Sequence, residues 1–128
     1  MRRLTREWVE KAEDDFAAVN TLARSRKRGH YDAVCFHCQQ CVEKFLKARL
    51  QEAVIPFRKT HDLPALLNML ITVEPTWTRF GIAMNVLTDY SVDPRYPGLR
   101  TDKAKAKQAV KFCRDFRRAC RLSLKLPP

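Results

Sequence analysis

The sequence has little glycine and no long apolar run. Only three of its 128 residues are glycine. None lies in a GxGxxG or GxxxxGK[ST] pattern, so a glycine-rich phosphate-binding loop is absent. No apolar stretch approaches the roughly 18 residues that a membrane-spanning helix needs. The charges of residues 1–7 are not followed by the apolar segment of a signal peptide. We therefore expect a cytoplasmic protein without membrane association.

Patterns typical of other structures and enzymes are also missing. No segment alternates apolar and polar residues with a period of two, so we predict no β-sheet. The sequence contains neither a GxSxG nucleophile motif nor an HExxH zinc motif. These absences exclude the common hydrolase and metalloprotease signatures.

The five cysteines are predicted to be small buried core residues rather than metal ligands. They are Cys35, Cys38, Cys41, Cys113 and Cys120. On a helix, Cys35 and Cys41 point about 120° apart, so the first three cannot converge on one ion. An odd number of cysteines also argues against a disulfide framework. We predict no metal site and no cofactor.

The chain is strongly basic, and its charge is uneven. The formal net charge is +11. Residues 95–128 contain eleven Lys or Arg, against only Asp102 and Asp115. Such a chain is attracted to RNA, DNA or an acidic partner protein. The same lysines and arginines on the outer face of a terminal helix are also explained by solvation alone, and charge does not decide between the two.

The apolar periodicity predicts five helices in one domain over residues 1–128. The first spans about 5–26, with Thr5 as N-cap and Gly29 as its stop. The second spans about 31–53. The third follows His61 and Asp62, has Pro64 in its first turn, and is closed by Pro75; its predicted apolar stripe is Leu63, Leu66, Leu67, Leu70 and Ile71. The fourth spans about 76–89, and Thr101 caps the last, whose predicted stripe is Ala106, Ala109, Val110, Cys113, Phe116, Cys120 and Leu124. We predict an all-α, up-and-down bundle of four long helices and one short one.

The second helix has two unlike faces. At about 100° per residue, its apolar arc contains Val34, Cys38, Cys41 and Phe45. The opposite polar arc contains Gln40, Glu43, Lys44 and Lys47, with His37 at its margin and Phe36 among them. Glu43 and Lys47 are at i and i+4, so we expect them to pair on the surface. A phenylalanine is out of place on a solvated face. We therefore interpret this arc as a candidate site or subunit contact.

Four segments of the chain, taken in order, resemble a known family. The second helix shows an aromatic–Asp–x(3)–Phe–His–x(2)–Gln–x(2)–Glu–Lys–x–Leu–Lys–Ala pattern from Tyr31 to Ala48. The other segments are residues 8–15, residues 59–63 (Lys-Thr-His-Asp-Leu), and Asp89-Tyr90 followed by Arg95-Tyr96-Pro97. Together they resemble HEPN domains over roughly residues 8–120. The resemblance implies an all-α bundle that is usually dimeric.

The resemblance also sets expectations about catalysis. Many HEPN domains are ribonucleases with an Arg–x(4–6)–His motif late in the domain, where Arg would stabilise the phosphorane and His would move a proton. This chain has no His after Arg95. Its only formal match, Arg24 to His30, lies at the end of the first helix, and we interpret it as chance. Histidine-dependent RNA cleavage at the usual place is therefore not expected.

Three functions remain open. The resemblance implies a nucleotide-binding module that is the partner of a minimal nucleotidyltransferase in a toxin–antitoxin-like pair. The chain lacks the nucleotidyltransferase Gly–Ser and paired-Asp signature, so another polypeptide would supply that catalytic part. The first alternative is a divergent HEPN ribonuclease toxin that acts on RNA through the basic C-terminal helix. The second is a non-catalytic dimeric scaffold.

The candidate site residues are polar groups from the second helix and two loops. We predict that Lys44, Lys47, Arg95 and Tyr96 form one anion-binding surface, with Glu43 and His61 at its edge. Phosphate is matched by Arg and Lys, and a base by an aromatic ring. A competing hypothesis is that these residues brace the loop after Tyr90, with Arg95 paired to Glu43. Near His61, helix capping by Asp62 or Thr60 is an equally good explanation.

Overall fold

The computed structural model describes residues 1–25, 30–98 and 100–128. These residues form five α-helices: α1 (Arg3–Ala23), α2 (His30–Glu52), α3 (Leu63–Leu70), α4 (Gly81–Leu87) and α5 (Lys103–Ser123). Two 3-10 segments, Pro75–Phe80 and Thr88–Ser91, flank α4, so residues 75–91 are continuously helical. No strand occurs within the described ranges. The all-α prediction is confirmed: α1, α2, the 75–91 stretch and α5 are long, and α3 is short.

Helix α2 is the centre of the bundle. Helices α1 and α5 pack along it, and α3 contacts it as well. The apolar stripe predicted for α5 is confirmed, since every member is buried. All five cysteines are also buried, with free thiols. Burial raises the pKa of the Cys35 thiol to about 11, which keeps it protonated.

The start of α1 differs from the prediction. Thr5 is not the N-cap; the helix begins at Arg3, with Arg2 in the capping position. Thr5 is buried, and its hydroxyl donates a hydrogen bond of 2.9 Å to Glu52 Oε1. The hydroxyl therefore joins α1 to the end of α2 instead of capping its own helix. Ala23 ends the helix, whereas Arg26 and Gly29, the predicted end and stop, lie outside the described residues.

The start of α5 also differs from the prediction. Asp102, not Thr101, is the N-cap, and its side chain accepts a bond of 2.8 Å from the Lys105 amide. The amide and the hydroxyl of Thr101 both donate to Asp32 Oδ1, each at 2.7 Å. Thr101 therefore ties the preceding loop to α2, while the neighbouring carboxylate caps the helix equally well.

The loop before α3 is held from both sides. The predicted capping is confirmed: Asp62 Oδ1 accepts from the Ala65 amide, and Thr60 Oγ1 accepts from the Asp62 amide. The Thr88 hydroxyl accepts from the Leu63 amide and donates to the His61 carbonyl, both at 3.1 Å. The backbone of His61 is therefore fixed between α3 and the 75–91 stretch. No helix within the described residues is long and apolar enough to cross a membrane.

Candidate functional site: a polar network on α2

The polar arc of α2 faces other parts of the protein rather than solvent. Glu43 and Lys47 are buried although both are charged. Asp15 of α1, which is also charged, and the neutral Gln39 of α2 are buried as well. Such groups are tolerated in an interior only when they are paired and hydrogen-bonded. Two hydrogen-bonded groups of side chains line this face, and we call them together the polar network: Asp15, His37 and Lys44 form one half, and Gln39, Gln40, Glu43, Lys47 and His61 form the other.

One half of the polar network is centred on Asp15. This residue lies one turn after Ala12 and one turn before Val19, both fully buried, so it shares the face of α1 that packs against α2. Its Oδ1 lies 2.8 Å from His37 Nδ1, and its Oδ2 accepts from Lys44 Nζ at 2.5 Å. His37 and Lys44 are two turns apart on α2, and the carboxylate bridges them.

These contacts keep Asp15 ionised. Burial raises the pKa of its carboxyl group, but the hydrogen bonds from His37 and Lys44 and their positive charge outweigh burial, so the pKa lies below its usual value. The side chain of Lys44 retains 22% of its exposure and that of His37 retains 31%. This half of the network is therefore partly open to solvent.

The other half is centred on Glu43 and has three donors. Oε1 accepts from Gln39 Nε2 at 3.0 Å and lies 2.7 Å from His61 Nδ1, while Oε2 accepts from Lys47 Nζ at 2.9 Å. Gln39, Glu43 and Lys47 recur every four residues and so lie in one row along α2. Gln40 donates to Gln39 Oε1 at 2.6 Å, which satisfies the amide oxygen of that buried glutamine.

Glu43 also stays ionised and orients an imidazole. Burial raises its pKa, but the bonds from Lys47, Gln39 and His61 together hold the pKa below the usual value. Because an ionised carboxylate only accepts hydrogen bonds, Nδ1 of His61 must carry the proton. The His61 side chain is 61% exposed, whereas that of Glu43 is 4% exposed. A buried carboxylate thus holds an accessible imidazole in a fixed orientation.

Aromatic rings cover the lysine of this half. The ammonium of Lys47 lies 5.5 Å from the centroid of the Trp8 ring, within cation–π range. Trp8 makes an edge-to-face contact with Phe57 of the α2–α3 loop, with centroids 6.3 Å apart. Both rings are partly buried against the core. The Lys47 side chain is only 6% exposed.

The structure brings together three of the six predicted site residues. Glu43, Lys47 and His61 are directly bonded, and Lys44 belongs to the Asp15 half of the same network. Glu43 and Lys47 do form the expected i, i+4 pair, but it is buried rather than on the surface. Within the described residues, no hydrogen bond or ion pair links Arg95 or Tyr96 to the polar network.

The hypothesis that Arg95 pairs with Glu43 is wrong. Arg95 Nη2 lies 2.7 Å from Asp93 Oδ2, on the solvent side of the loop. The hydrogen bonds from Arg95 lower the pKa of the Asp93 carboxyl to about 2. An acid two residues away in the same loop is reached at little entropic cost, whereas the oxygens of Glu43 are already engaged. The neighbouring Tyr96 is 64% exposed.

Two members of the polar network escaped the sequence prediction, although each left a signal. Asp15 interrupts the apolar stripe of α1, where an acid is costly unless a partner faces it. Gln39 is fully buried and stands between two cysteines of the apolar arc of α2. A polar residue among buried positions is the pattern that indicates an internal network. Within the described residues, no group of three or more His, Cys, Asp or Glu could hold a metal ion.

Comparison with known proteins gives one result. The model of the HEPN domain family matches residues 5–123, nearly the whole chain. No curated protein and no solved structure shows a significant match. A family match of this extent supports a general role connected with nucleotides or RNA, and HEPN domains commonly form dimers.

Proposed function

Because the chain belongs to the HEPN domain family, we propose that it is a nucleotide-binding module that works with a minimal nucleotidyltransferase. The pair would be of the toxin–antitoxin kind. The sequence has no nucleotidyltransferase signature of its own, so the catalytic polypeptide would be a separate partner. The observation that carries the nucleotide role is the His61 imidazole, accessible to solvent and oriented by the buried Glu43 carboxylate.

An oriented imidazole is suited to contact a ligand. Glu43 takes the Nδ1–H of His61, and within the described residues Nε2 has no hydrogen-bond partner. That nitrogen can accept from a ribose hydroxyl or, once protonated, donate to a phosphate. Because Glu43 and the backbone bond from Thr88 already hold the ring and its loop, little ordering is left to be done when a ligand binds.

A pocket is lined by residues that directly precede this histidine in the chain, although His61 does not itself line it. It has a volume of about 590 Å³ and is lined by residues of the α2–α3 loop and of α3, among them Phe57, Arg58, Thr60 and Met69. The volume is in the range of small-ligand sites. Phe57 offers an apolar surface to a base, and Arg58 a guanidinium to phosphate. Within the described residues, Arg58 has no carboxylate partner.

The paired lysines have a different part in this proposal. Phosphate would have to compete with Asp15 for Lys44 and with Glu43 for Lys47, so these ammonium groups shape the site and contribute to its field. Arg95 and Tyr96 stay candidates for a more distant phosphate or base contact. Their exposure makes them free to move toward a ligand.

The nucleotide role can be tested by titration. Purified protein would be titrated with ATP, GTP and a short RNA by calorimetry, at low and at physiological salt. We expect Arg58→Gln and His61→Asn to weaken nucleotide binding at least threefold. The matched control is Lys59→Gln, because Lys59 is exposed in the same loop but does not line the pocket. Equal weakening in all three variants, or binding lost at physiological salt, would indicate unspecific attraction by the +11 charge.

The partnership needs its own test. A nucleotidyltransferase gene next to the gene of this chain would be co-expressed with it, and complex formation measured by co-purification. We expect a stable complex and relief of any growth inhibition that either protein causes alone. If neither a complex nor nucleotide binding is found, the chain would be a dimeric scaffold whose polar network is structural.

A second candidate function is ribonuclease activity, and one observation favours it. His37 and His61 are both held through Nδ1 by carboxylates, Asp15 at 2.8 Å and Glu43 at 2.7 Å. Two oriented imidazoles can supply the general base and the general acid of RNA cleavage. A fluorogenic RNA would test this: cleavage lost in both His37→Asn and His61→Asn, with RNA binding retained, would favour the enzyme over the binding module.

A further inference from the structure

A groove lies on another part of the surface, between the end of α1, the start of α2 and the first half of α5. Its volume is about 830 Å³, larger than the pocket of about 590 Å³ that Phe57 and Arg58 line. Leu22, Tyr31, Val34, Ala106 and Val110 line its apolar part. None of these five belongs to the polar network, so the groove needs an explanation of its own.

The rim of the groove is cationic. Lys103, Lys107 and Lys111 line it from three successive turns of α5, about 6 Å apart along the helix axis. Arg24 and Arg114 contribute two further guanidinium groups, and Asp115 is the single acidic residue of the lining. Apolar surface bordered by charge of one sign is typical of a binding surface.

Most of this charge is not neutralised within the protein. Asp115 pairs with Lys111, but within the described residues Lys103, Lys107 and Arg24 have no ion pair. The lysines of the polar network, in contrast, each have a carboxylate within 3 Å. The cations of the groove are therefore available to an acidic ligand.

We propose that this groove binds an acidic amphipathic helix of a partner protein. The occupant has to be apolar toward the floor and negative toward the rim. Leucine-like side chains at i, i+3, i+4 and i+7 fit the first requirement, and Glu or Asp on the flanks fits the second. The row of lysines one turn apart matches carboxylates one turn apart on a neighbouring helix. This occupant need not be a nucleotidyltransferase.

Two other occupants fit less well. The floor is aliphatic except for Tyr31, whereas single-stranded nucleic acid is held by successive aromatic side chains on which bases stack. A second copy of this chain could present Glu7, Glu10 and Asp14 of α1, which are exposed. Val9 and Ala12 between them are buried, and Leu4 is the one large aliphatic side chain exposed on this helix, at 43%. A second copy would therefore match the charge of the rim but bring a single leucine to the floor.

The experiment uses a designed helical peptide of about 18 residues, long enough to be helical with end caps, with leucines on one face and glutamates on both flanks. Its binding to the full chain would be measured by fluorescence anisotropy at low and physiological salt. We expect Lys107→Glu to weaken binding roughly fivefold. The control is Lys105→Glu, because Lys105 is exposed on the same helix but does not line the groove. Its binding should stay within twofold of the parent.

Further outcomes decide the identity of the occupant. Replacing the leucines of the peptide by serines should abolish binding; unchanged binding would overturn the role of the apolar floor. Equal losses in Lys107→Glu and Lys105→Glu would overturn the site, as would no binding at about 1 mM peptide. Binding of a short oligoadenylate in place of the peptide, or self-association that Lys107→Glu removes, would overturn the choice of partner. Peptide binding at the groove and nucleotide binding at Arg58 and His61 can each occur or fail without the other.

Discussion

Two ion pairs in this bundle have the same sequence spacing and the same length but opposite surroundings. Glu43 and Lys47 of the polar network lie four residues apart with their charged atoms 2.9 Å apart, and so do Lys111 and Asp115 at the groove. The side chains of Lys47 and Glu43 are 6% and 4% exposed. Those of Lys111 and Asp115 are 73% and 53% exposed. Spacing and distance are therefore equal, and the two pairs differ most in burial, with the order of acid and base along the helix reversed.

This difference in burial determines which charges stabilise the fold and which are available to a ligand. A buried pair costs desolvation, and removing one partner leaves the other charge stranded. An exposed pair contributes little, because water and salt screen it. Replacing an internal partner by a ligand is therefore costly for the buried charges of the polar network. For the exposed charges of the groove it costs little free energy. We therefore expect ligands to bind at the exposed edges of the polar network and at the groove. We do not expect them at the buried ammonium groups of the network.

The largest effect is expected from breaking the buried pair. Glu43→Ala should lower the free energy of unfolding by about 3–5 kcal/mol, because Lys47 then stays buried without a counter-charge and Gln39 loses its acceptor. Asp115→Ala is the matched control and should change it by less than about 0.5 kcal/mol. Urea unfolding followed by circular dichroism measures both. Similar losses in the two variants would contradict the contrast drawn between the pairs.

A comparable loss is expected when a charge enters the cysteine core. Cys41→Asp should destabilise by several kcal/mol, because Cys41 is completely buried and the substitution would bring an unpaired charge into the core. Cys41→Ala keeps the site apolar and should cost far less. Differential scanning calorimetry of the two variants separates the effect of charge from that of lost volume. A Cys41→Asp variant as stable as Cys41→Ala would count against a closed core at this position.

A smaller and gradual effect is expected from acid. The pKa values of Asp15 and Glu43 are lower in the folded protein than their ordinary values of 3.8 and 4.5. Groups with lowered pKa values contribute stability above the unfolded pKa and lose it as the pH falls through the folded pKa. The melting temperature should therefore fall below about pH 4.5. In the double variant Asp15→Asn, Glu43→Gln this fall should be shallower, and an unchanged slope would show that other carboxyl groups cause it.

The smallest effect on stability is expected at Arg95. Its side chain is 89% exposed and bonded only within its own loop, so Arg95→Ala should leave the melting temperature unchanged within error. Nucleotide titration of the same variant then has a clear meaning. Lost binding at full stability would place Arg95 in the nucleotide site, whereas lost stability would revive a bracing role for the loop.

Much of the bundle was predictable because apolar periodicity is a local property. Apolar residues spaced three and four apart predict three features: the stripes of α3 and α5, the helical 75–91 stretch, and the burial of all five cysteines. Helix ends were less predictable. Thr5 and Thr101 have good capping chemistry, but their hydroxyls bond to Glu52 and Asp32, which are 47 and 69 residues away. A cap competes with partners that only the folded chain brings near.

In the candidate site, too, contacts within one helix could be predicted and contacts between elements could not. Residues in one helix could be placed from spacing, which is why the Glu43–Lys47 contact was foreseen. Its burial could not be predicted, because Trp8, which lies over the lysine and contacts Phe57 of the α2–α3 loop, comes from a different helix, α1. Local spacing also could not reveal that His61 reaches back to Glu43 over 18 residues, or that Arg95 stays with Asp93.

The sequence by itself determined an all-α bundle with a basic C-terminal helix and a two-faced second helix, since these depend on composition and on periods of a few residues. Its four ordered motifs indicated the HEPN family, which the family match shows. Only the tertiary structure decided which charges neutralise one another. Packing α1 against α2 put Asp15 opposite His37 and Lys44 and enclosed Glu43 with Lys47. The fold also left Lys103 and Lys107 beside an apolar groove, without an ion pair among the residues that the structure describes. Charge can be counted along a chain, but its desolvation and pairing depend on distances in space.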